Sequence, residues 1–539
     1  MKNLFYFLFL IVIFSSCGKD VTIIHIGDTH SHLEGASFFC QHDSQNLNIE
    51  LGGYDLIGQV VREEKGERGK TIFMHSGDLV VGTRYFREFK GRSDIEMMNK
   101  ILLDVMVLGN HEFDKGADFL TDLLKDAEFP VVCANMEIND IPDLENIVKP
   151  YIIKGSWPWR NGIIGVVTPD TSKISSPGEK IKFLDPAKSV EKYVRALKEK
   201  GVNRIFVLSH LGFEEDKKLA SEVSGIDVII GGHSHTLLGY TGLECLGVKG
   251  DYPEIVKAPD GKKVLIAHAW DHSRALGKLD LKFDIWGNVK SWKGETAFLL
   301  RKGVEVPFRH KRSPSNSFKT VSPDDDLLKM VDSYRQIVSK EYEKFVGKIG
   351  EPLVHNWEKG SDIAPLVSEA IFWKLTKEGV TLDVALQNAG GVRRSLGKGA
   401  VTLGDINDTL PFFNDIVVLK VKGKDFIDMI NVSFDQISKG TRFGSFPYLY
   451  GIKYEIEDYR AINFSVLKEG EFLPLDPEEY YVLATDSYIA YGGNGYDILG
   501  EITERTVTDF IVSDVFAEFI KHREVLYKPE TVHPSLGGK

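Results

Sequence analysis

Short runs of Val, Ile and Leu, each closed by small or polar residues, recur through the first three hundred positions: VTIIHI, TIFMH, LDVMVL, NRIFVLS and DVIIG. Between them lie amphipathic stretches such as PAKSVEKYVRALKEKG, where Val190, Tyr193, Val194 and Leu197 fall at helical spacing. Continuous apolar runs mark strands buried on both faces, and such strands alternating with helices predict a layered α/β domain. A long helix follows in SPDDDLLKMVDSYRQIVSKEYEKF. Ser322 can cap it, Pro323 suits the first helical position, and Asp324 to Asp326 load the first turn with negative charge. Leu327, Val331, Tyr334, Val338, Tyr342 and Phe345 then form one apolar stripe. Farther on, helices mix with strand runs such as DIVVLKVKG and FPYLYGIKYEI. At 539 residues the chain exceeds one ordinary core. The pattern therefore predicts an α/β domain over 17–320, a linker helix over 321–346, an α+β domain over 347–527 and a tail over 528–539.

The start of the chain departs from this pattern. Lys2 precedes the unbroken apolar run LFYFLFLIVIF at 4–14, followed by SSCGKD. The run is shorter than the roughly 20 residues that span a bilayer, so residues 1–16 read as a signal peptide. Cys17, after two serines, resembles the lipid-modified cysteine of bacterial lipoproteins. That implies an exported protein, periplasmic or at the cell surface, held to a membrane by a lipid anchor. Only Cys40, Cys133 and Cys245 remain, too sparse for a disulfide framework, and Cys133 in PVVCANM reads as a small core residue. A formal net charge of -12 argues against a nucleic-acid partner bound by bulk charge. An anionic substrate would need a local cationic site.

What closes the apolar runs suggests such a site. The first ends in Asp28 and His30, the second in Asp78, the third in Asn110, His111 and Asp114, the fourth in His210, and the fifth in His233 and His235. In layered α/β folds, ligand sites gather beyond strand ends. Desolvating such groups without partners costs on the order of several kcal/mol each. A lone His after a strand is usually a turn or hydrogen-bonded core residue, and an Asp after Gly a turn former. Five strands carrying these groups in ordered series exceed chance. Nitrogen and oxygen donors without thiolates suit Zn, Mn, Fe or similar ions, and the donors outnumber the needs of one four-coordinate ion. Two metals fit better.

These segments resemble the signature of the calcineurin-like metallophosphoesterases. The contexts GDLVVGT, GNHEFDKG, VVTPDT and GGHSHT resemble the exported 5'-nucleotidase and UDP-sugar hydrolase branch. The resemblance implies a four-layer β-sandwich flanked by helices, joined through the long helix to an α+β substrate-binding domain. It implies two divalent ions, zinc or manganese, one held by Asp28, His30 and His235 and the other by Asn110, His210 and His233, with Asp78 bridging. His111 and Asp114 match the family's catalytic pair, His111 serving the leaving ester oxygen while Asp114 orients it. His25, His75, His268 and His272 fall on no ligand position and take a structural reading. His32 and Glu112 adjoin the motifs, open to a supporting role or to plain exposure. Asp55 stands where relatives often carry Arg.

LQNAGGVRRSL resembles the N-x-G-G-[IV]-R segment of the nucleotidase C-terminal domain, followed by LPFFNDIVVLKVKG and YIAYGGNGYD. By that resemblance Asn388 and Arg393 contact the substrate, Phe412 and Tyr488 stack its base, and Asn494 stands where relatives place an Asp for the ribose hydroxyls. Lys359 replaces an expected Arg, and a point charge cannot reproduce a bidentate contact. The function implied is hydrolysis of nucleoside 5'-monophosphates by a metal-held hydroxide, with the long helix as a hinge for closure. Rival readings are a UDP-sugar or nucleotide pyrophosphate hydrolase, a 2',3'-cyclic nucleotide phosphodiesterase, a thiohydrolase, or a nucleotide-binding surface lipoprotein with structural metals. His111 and Asp114 weigh against the last, because structural metal sites need no spare imidazole.

Overall fold

The computed structural model describes residues 20–529 except 43–44, 69, 240–245, 304–316, 357–359, 413, 439–442 and 469. The expected signal peptide, Cys17 and Lys359 lie outside the described residues. The chain divides into two compact units, Met1–Arg335 and Gln336–Lys539. The division falls inside the helix Asp325–Tyr342. Its cap is Asp324 rather than Ser322: Asp324 Oδ1 accepts from the backbone N–H of Asp326 and Leu327 at 3.1 and 3.0 Å. Leu327, Val331 and Val338 are buried as the stripe requires. Phe345, the last residue of the expected stripe, instead opens the strand Phe345–Ile349 and is 61% exposed.

Unit 1 is built on an eight-stranded and a six-stranded sheet. In the first, Val21–Ile26 pairs in parallel with Thr71–His75, which pairs in parallel with Val105–Val107. In the second, Asn161–Val167, Arg204–His210, Val228–Gly231 and Lys263–His268 run parallel in that order. Ile23, Met74 and Val107 from one sheet meet Ile163, Phe206, Leu208, Ile230 and Leu265 from the other in a single apolar layer. The opposite face of the second sheet is covered by Val190, Val194 and Leu197 of the helix Pro186–Glu199 and by Leu219 of Phe213–Glu222. Helix Tyr54–Arg68 packs on the first sheet beside Thr71–His75. These are the four layers expected, and strands buried on both faces explain the absence of polar alternation in the sequence. Asp55 is buried with its Oδ2 2.7 Å from Arg301 Nη1, so a charge pair occupies that position.

Unit 2 centres on a five-stranded sheet in which Tyr480–Asp486 pairs in parallel with Val384–Asn388 and antiparallel with Asp415–Lys422. Ile371, Phe426, Phe434 and Phe516 from its helices enclose Leu386, Leu419 and Leu483 in one core. The α+β expectation matches this mixture.

Phe206 is fully buried between the two sheets of unit 1. Replacing it by Ala removes a large side chain where the sheets cannot close the gap, so Phe206→Ala should destabilise unit 1 by about 3–5 kcal/mol. Urea unfolding followed by circular dichroism measures it.

Candidate metal centre

The parallel strands of unit 1 deliver their C-terminal turns to one region, and the backbone there is strained. Asp28, His30, Asp78, His233 and His235 adopt φ of 50°, 47°, 52°, 76° and 49°. Left-handed backbone costs a non-glycine residue on the order of 1 kcal/mol, so the surroundings must enforce it. They do so by hydrogen bonds between turns. The N–H of Asp28, His30 and Ser31 donate to the carbonyls of Gly77, Asp78 and Leu79 at 3.0, 3.1 and 3.0 Å. Glu112, fully buried, accepts from the N–H of Gly109 at 2.6 Å, Leu79 at 2.8 Å, Asp78 at 3.0 Å and Val80 at 3.3 Å. It is the clamp that joins the second and third turns. Gly109 permits the approach, since a Cβ there would lie 2.2 Å from Asp78 Oδ1.

Within this frame the seven expected donors come together. Asp78 Oδ2 lies 3.0 Å from His210 Nε2 and 3.9 Å from His30 Nε2. His30 Nε2 is 3.1 Å from His235 Nε2, which is 3.8 Å from Asp28 Oδ1. His233 Nδ1 is 2.9 Å from Asn110 Oδ1, and its backbone N–H donates to Asp28 Oδ1 at 2.8 Å. Asp78 belongs to two groups with metal-ligand spacing, one with His210 and His233, the other with His30 and His111. A third group joins His30, His235 and His272.

The donor set fits divalent cations by more than proximity. His210 Nδ1 donates to Ser76 O at 2.7 Å, which leaves the buried Nε2, 3.0 Å from Asp78 Oδ2, as the nitrogen that can serve a cation once it gives up its proton. His235 Nδ1 likewise sits 2.8 Å from Asp271 Oδ2, turning Nε2 inward. Burial opposes charge on Asp78, but His210, His111 and His30 outweigh it and hold the carboxyl well below the usual range. Burial also opposes protonation of His210, yet Asp78 pushes it up to about 9. Burial raises Asp28 to about 6 against the pull of His210 and His235. An acid and a base so tightly paired are the groups a cation would displace from one another.

His111 stands beside these donors, its ring centroid 5.1 Å from that of His30. Its Nδ1 is 2.6 Å from Asp114 Oδ2, and Asp114 Oδ1 accepts from Ser175 Oγ at 2.7 Å. Burial works against the imidazolium, but Asp114 and Asp78 prevail and push His111 up to about 10. Ser175 carries no motif signal; only the fold brings it to Asp114.

Three of the histidines read as structural are bonded in the interior. His25 Nε2 is 2.6 Å from Tyr252 OH, His75 Nε2 3.0 Å from Thr29 Oγ1, and His268 Nε2 2.8 Å from Asp216 Oδ2. The fourth, His272, instead faces His30 and His235, and its neighbour Asp271 supports His235. Sequence reasoning missed both because WDHSR follows the strand Lys263–His268 with no repeat of the other turns. His32 stacks on His272, ring centroids 4.2 Å apart.

In unit 2, Asn388 and Asn494 both donate through Nδ2 to Gly444 O at 3.1 Å. Tyr488 OH donates to Asn494 Oδ1 at 3.3 Å. The Arg393 guanidinium lies 5.4 Å from the ring centre of Phe412. Ile416 pairs with Asp486, so Phe412 and Tyr488 emerge at the same end of one strand pair, 43% and 52% exposed. Two aromatic faces, two amides and a guanidinium thus share one edge of the unit.

Two family models match the chain: calcineurin-like phosphoesterase over residues 21–237, and the 5'-nucleotidase C-terminal domain over 346–501. A relative from Treponema pallidum named "Probable 5'-nucleotidase" is 32% identical over 90% of this chain and 88% of its own. The "NAD 5'-nucleotidase" of Haemophilus influenzae is 30% identical over 90% and 86%. The crystal structure of a 5'-nucleotidase precursor from Thermus thermophilus superposes with a TM-score of 0.71 at 33% identity, covering 95% of this chain and 98% of that one.

Because Asp271 fixes the tautomer and ring plane of His235, Asp271→Asn should weaken divalent-metal affinity roughly 10–100-fold while the fold persists. Isothermal titration of zinc into demetallated protein, beside a circular dichroism spectrum, checks it.

Proposed function

The chain belongs to the 5'-nucleotidase family and is a phosphoesterase, and from that premise we propose that it hydrolyses nucleoside 5'-monophosphates to nucleoside and phosphate at a centre of two divalent ions. Asp28, His30 and His235 would hold one ion, Asn110, His210 and His233 the other, and Asp78 both. Such ions, when bound, acidify a water and neutralise the oxygens of a phosphoryl group. The chain's own residues supply the rest. His111 Nδ1 is tied to Asp114, so its Nε2 is the nitrogen available to hold a proton for the leaving ester oxygen. Asp114, itself steadied by Ser175, keeps that ring in one tautomer and favours the protonated form.

The observation that carries this reading is an imidazole locked by a carboxylate beside donors shared by two groups. A purely structural metal site has no use for it. In unit 2, Phe412 and Tyr488 would stack the base, while Asn388, Arg393 and Asn494 would bind the remainder of the nucleotide. Asn494 is proposed for the ribose hydroxyls; an amide keeps an acceptor there without a charge. The name of the Haemophilus influenzae relative favours a second reading, hydrolysis of nucleotide pyrophosphates. Residues 1–17 support export and a lipid anchor at Cys17.

Chromatographic analysis of the nucleoside, nucleoside monophosphate and phosphate formed from AMP, UMP, UDP-glucose, ADP and cyclic nucleotides by the metal-loaded protein distinguishes these substrates, and AMP or UMP should be turned over fastest. His111→Ala should lower kcat about 10²–10⁴-fold, and an unchanged kcat would remove His111 from the chemistry. Phe412→Ala and Tyr488→Ala should raise KM for AMP but leave hydrolysis of p-nitrophenyl phosphate unaltered. Loss of activity on both substrates would contradict the base-stacking role.

A further inference from the structure

We propose that His272 is an additional nitrogen ligand of the first metal position, so that the loop 270–274 determines which ion that position prefers. The inference rests on the two-metal reading above and adds to it a residue that lies outside every strand-end motif.

The ligand atoms of His30, His235 and His272 all fall within 4.8 Å of one another. The centroid of the His272 ring is 5.6 Å from those of both His30 and His235. Nitrogens bound to one ion at about 2.0–2.1 Å lie within about 4.2 Å of each other, so the three stand only slightly farther apart than a shared ion requires. The backbone holds His272 to the ligand-bearing turn itself: its N–H donates to Asp28 O at 2.7 Å.

The loop that carries it is strained and tied by side-chain contacts. Trp270, His272 and Ser273 have φ of 66°, 54° and 58°. Arg274 lies 3.8 Å over the Trp270 ring, and its Nε donates to Asp271 Oδ1 at 3.0 Å. The other oxygen of Asp271 supports His235 at 2.8 Å. One loop therefore both orients a proposed member of the donor group and delivers a further one.

A core histidine is the plain alternative. His272 does stack on His32 with an interplanar angle of 29°, and its Nδ1 is 3.5 Å from Arg274 Nη2, the outer limit of a hydrogen bond. Neither contact accounts for three left-handed residues in a row of four, and strain of this kind gathers at ligand sites. Stacking on His32 fixes the ring plane without engaging a ring nitrogen.

With His272 the first position has three imidazoles beside Asp28 and Asp78, against two imidazoles, an amide and Asp78 at the second. Imidazole suits zinc, iron, nickel and copper better than manganese or magnesium. The first position should accordingly be the zinc-selective one.

The test is titration of Zn²⁺ and, separately, Mn²⁺ into the demetallated full chain, with the visible spectrum of the Co²⁺-loaded protein recorded alongside. Wild type should bind two ions. His272→Ala should weaken one of the two Zn²⁺ steps at least tenfold, leave the other within twofold and alter the Co²⁺ spectrum. His272→Asp, which returns an oxygen donor, should shift the Zn²⁺/Mn²⁺ affinity ratio toward Mn²⁺ at least tenfold. His272→Asn, closer in shape, substitutes for the Ala variant if circular dichroism shows that the latter is unfolded. Two Zn²⁺ steps within twofold of wild type, with an unchanged Co²⁺ spectrum, would overturn the proposal. Wild type binding fewer than two ions would instead overturn the two-metal reading on which it rests.

Discussion

A carboxylate almost without solvent access, Asp78, is faced by His210 at 3.0 Å and by His30 at 3.9 Å. Gathering so much potential charge away from water is expensive unless opposite charge compensates it, and the surrounding architecture is arranged to make that compensation possible. Parallel strands bring their ends to the same edge. Glycines at those ends remove the side chains that would keep the turns apart. The result is a set of donors with few protein partners of their own and a geometry suited to cations.

Strain and clamping are two sides of that arrangement. Left-handed backbone at Asp28, His30, Asp78, His233 and His235 aims side chains where ordinary turns would not. The strain persists because the first two turns are hydrogen-bonded to each other and the second and third are held by the four N–H groups that converge on Glu112. Glu112 neighbours the motif histidine, yet its role is to shape backbone. Asp271 and Ser175 act in the same indirect way, each fixing a ring or carboxylate that another part of the chain supplies. Preorganisation of this kind is what electrostatic catalysis of phosphoryl transfer requires, since positioning and charge do most of the work.

Unit 2 shows a looser design. Its polar groups meet on a backbone carbonyl, Gly444 O, and its aromatics stay partly exposed at one end of a strand pair. Partly exposed rings beside amide donors would suit the flat, polar ligand proposed for this unit. Amides that both donate to one carbonyl can exchange that bond for one to a ligand at small cost.

Strand-like apolar runs, the long helix and the polar groups closing each run were legible from the chain alone, because burial on both faces leaves an unmistakable local pattern and the turns with the polar groups follow it directly. The cap and end of the long helix were less so: Asp324 took the role assigned to Ser322, and Phe345 passed into a strand, since tertiary partners decide the last turn of a helix. Glu112 as a clamp, Ser175 behind Asp114, and Asp271 with His272 beside His235 were invisible for a stronger reason. The sequence by itself determined which residue types stand at the strand ends and hence the chemistry on offer. Only the tertiary structure decided which of them meet, because contacts between residues separated by tens to hundreds of positions depend on how strands order and sheets stack, and no local periodicity records that.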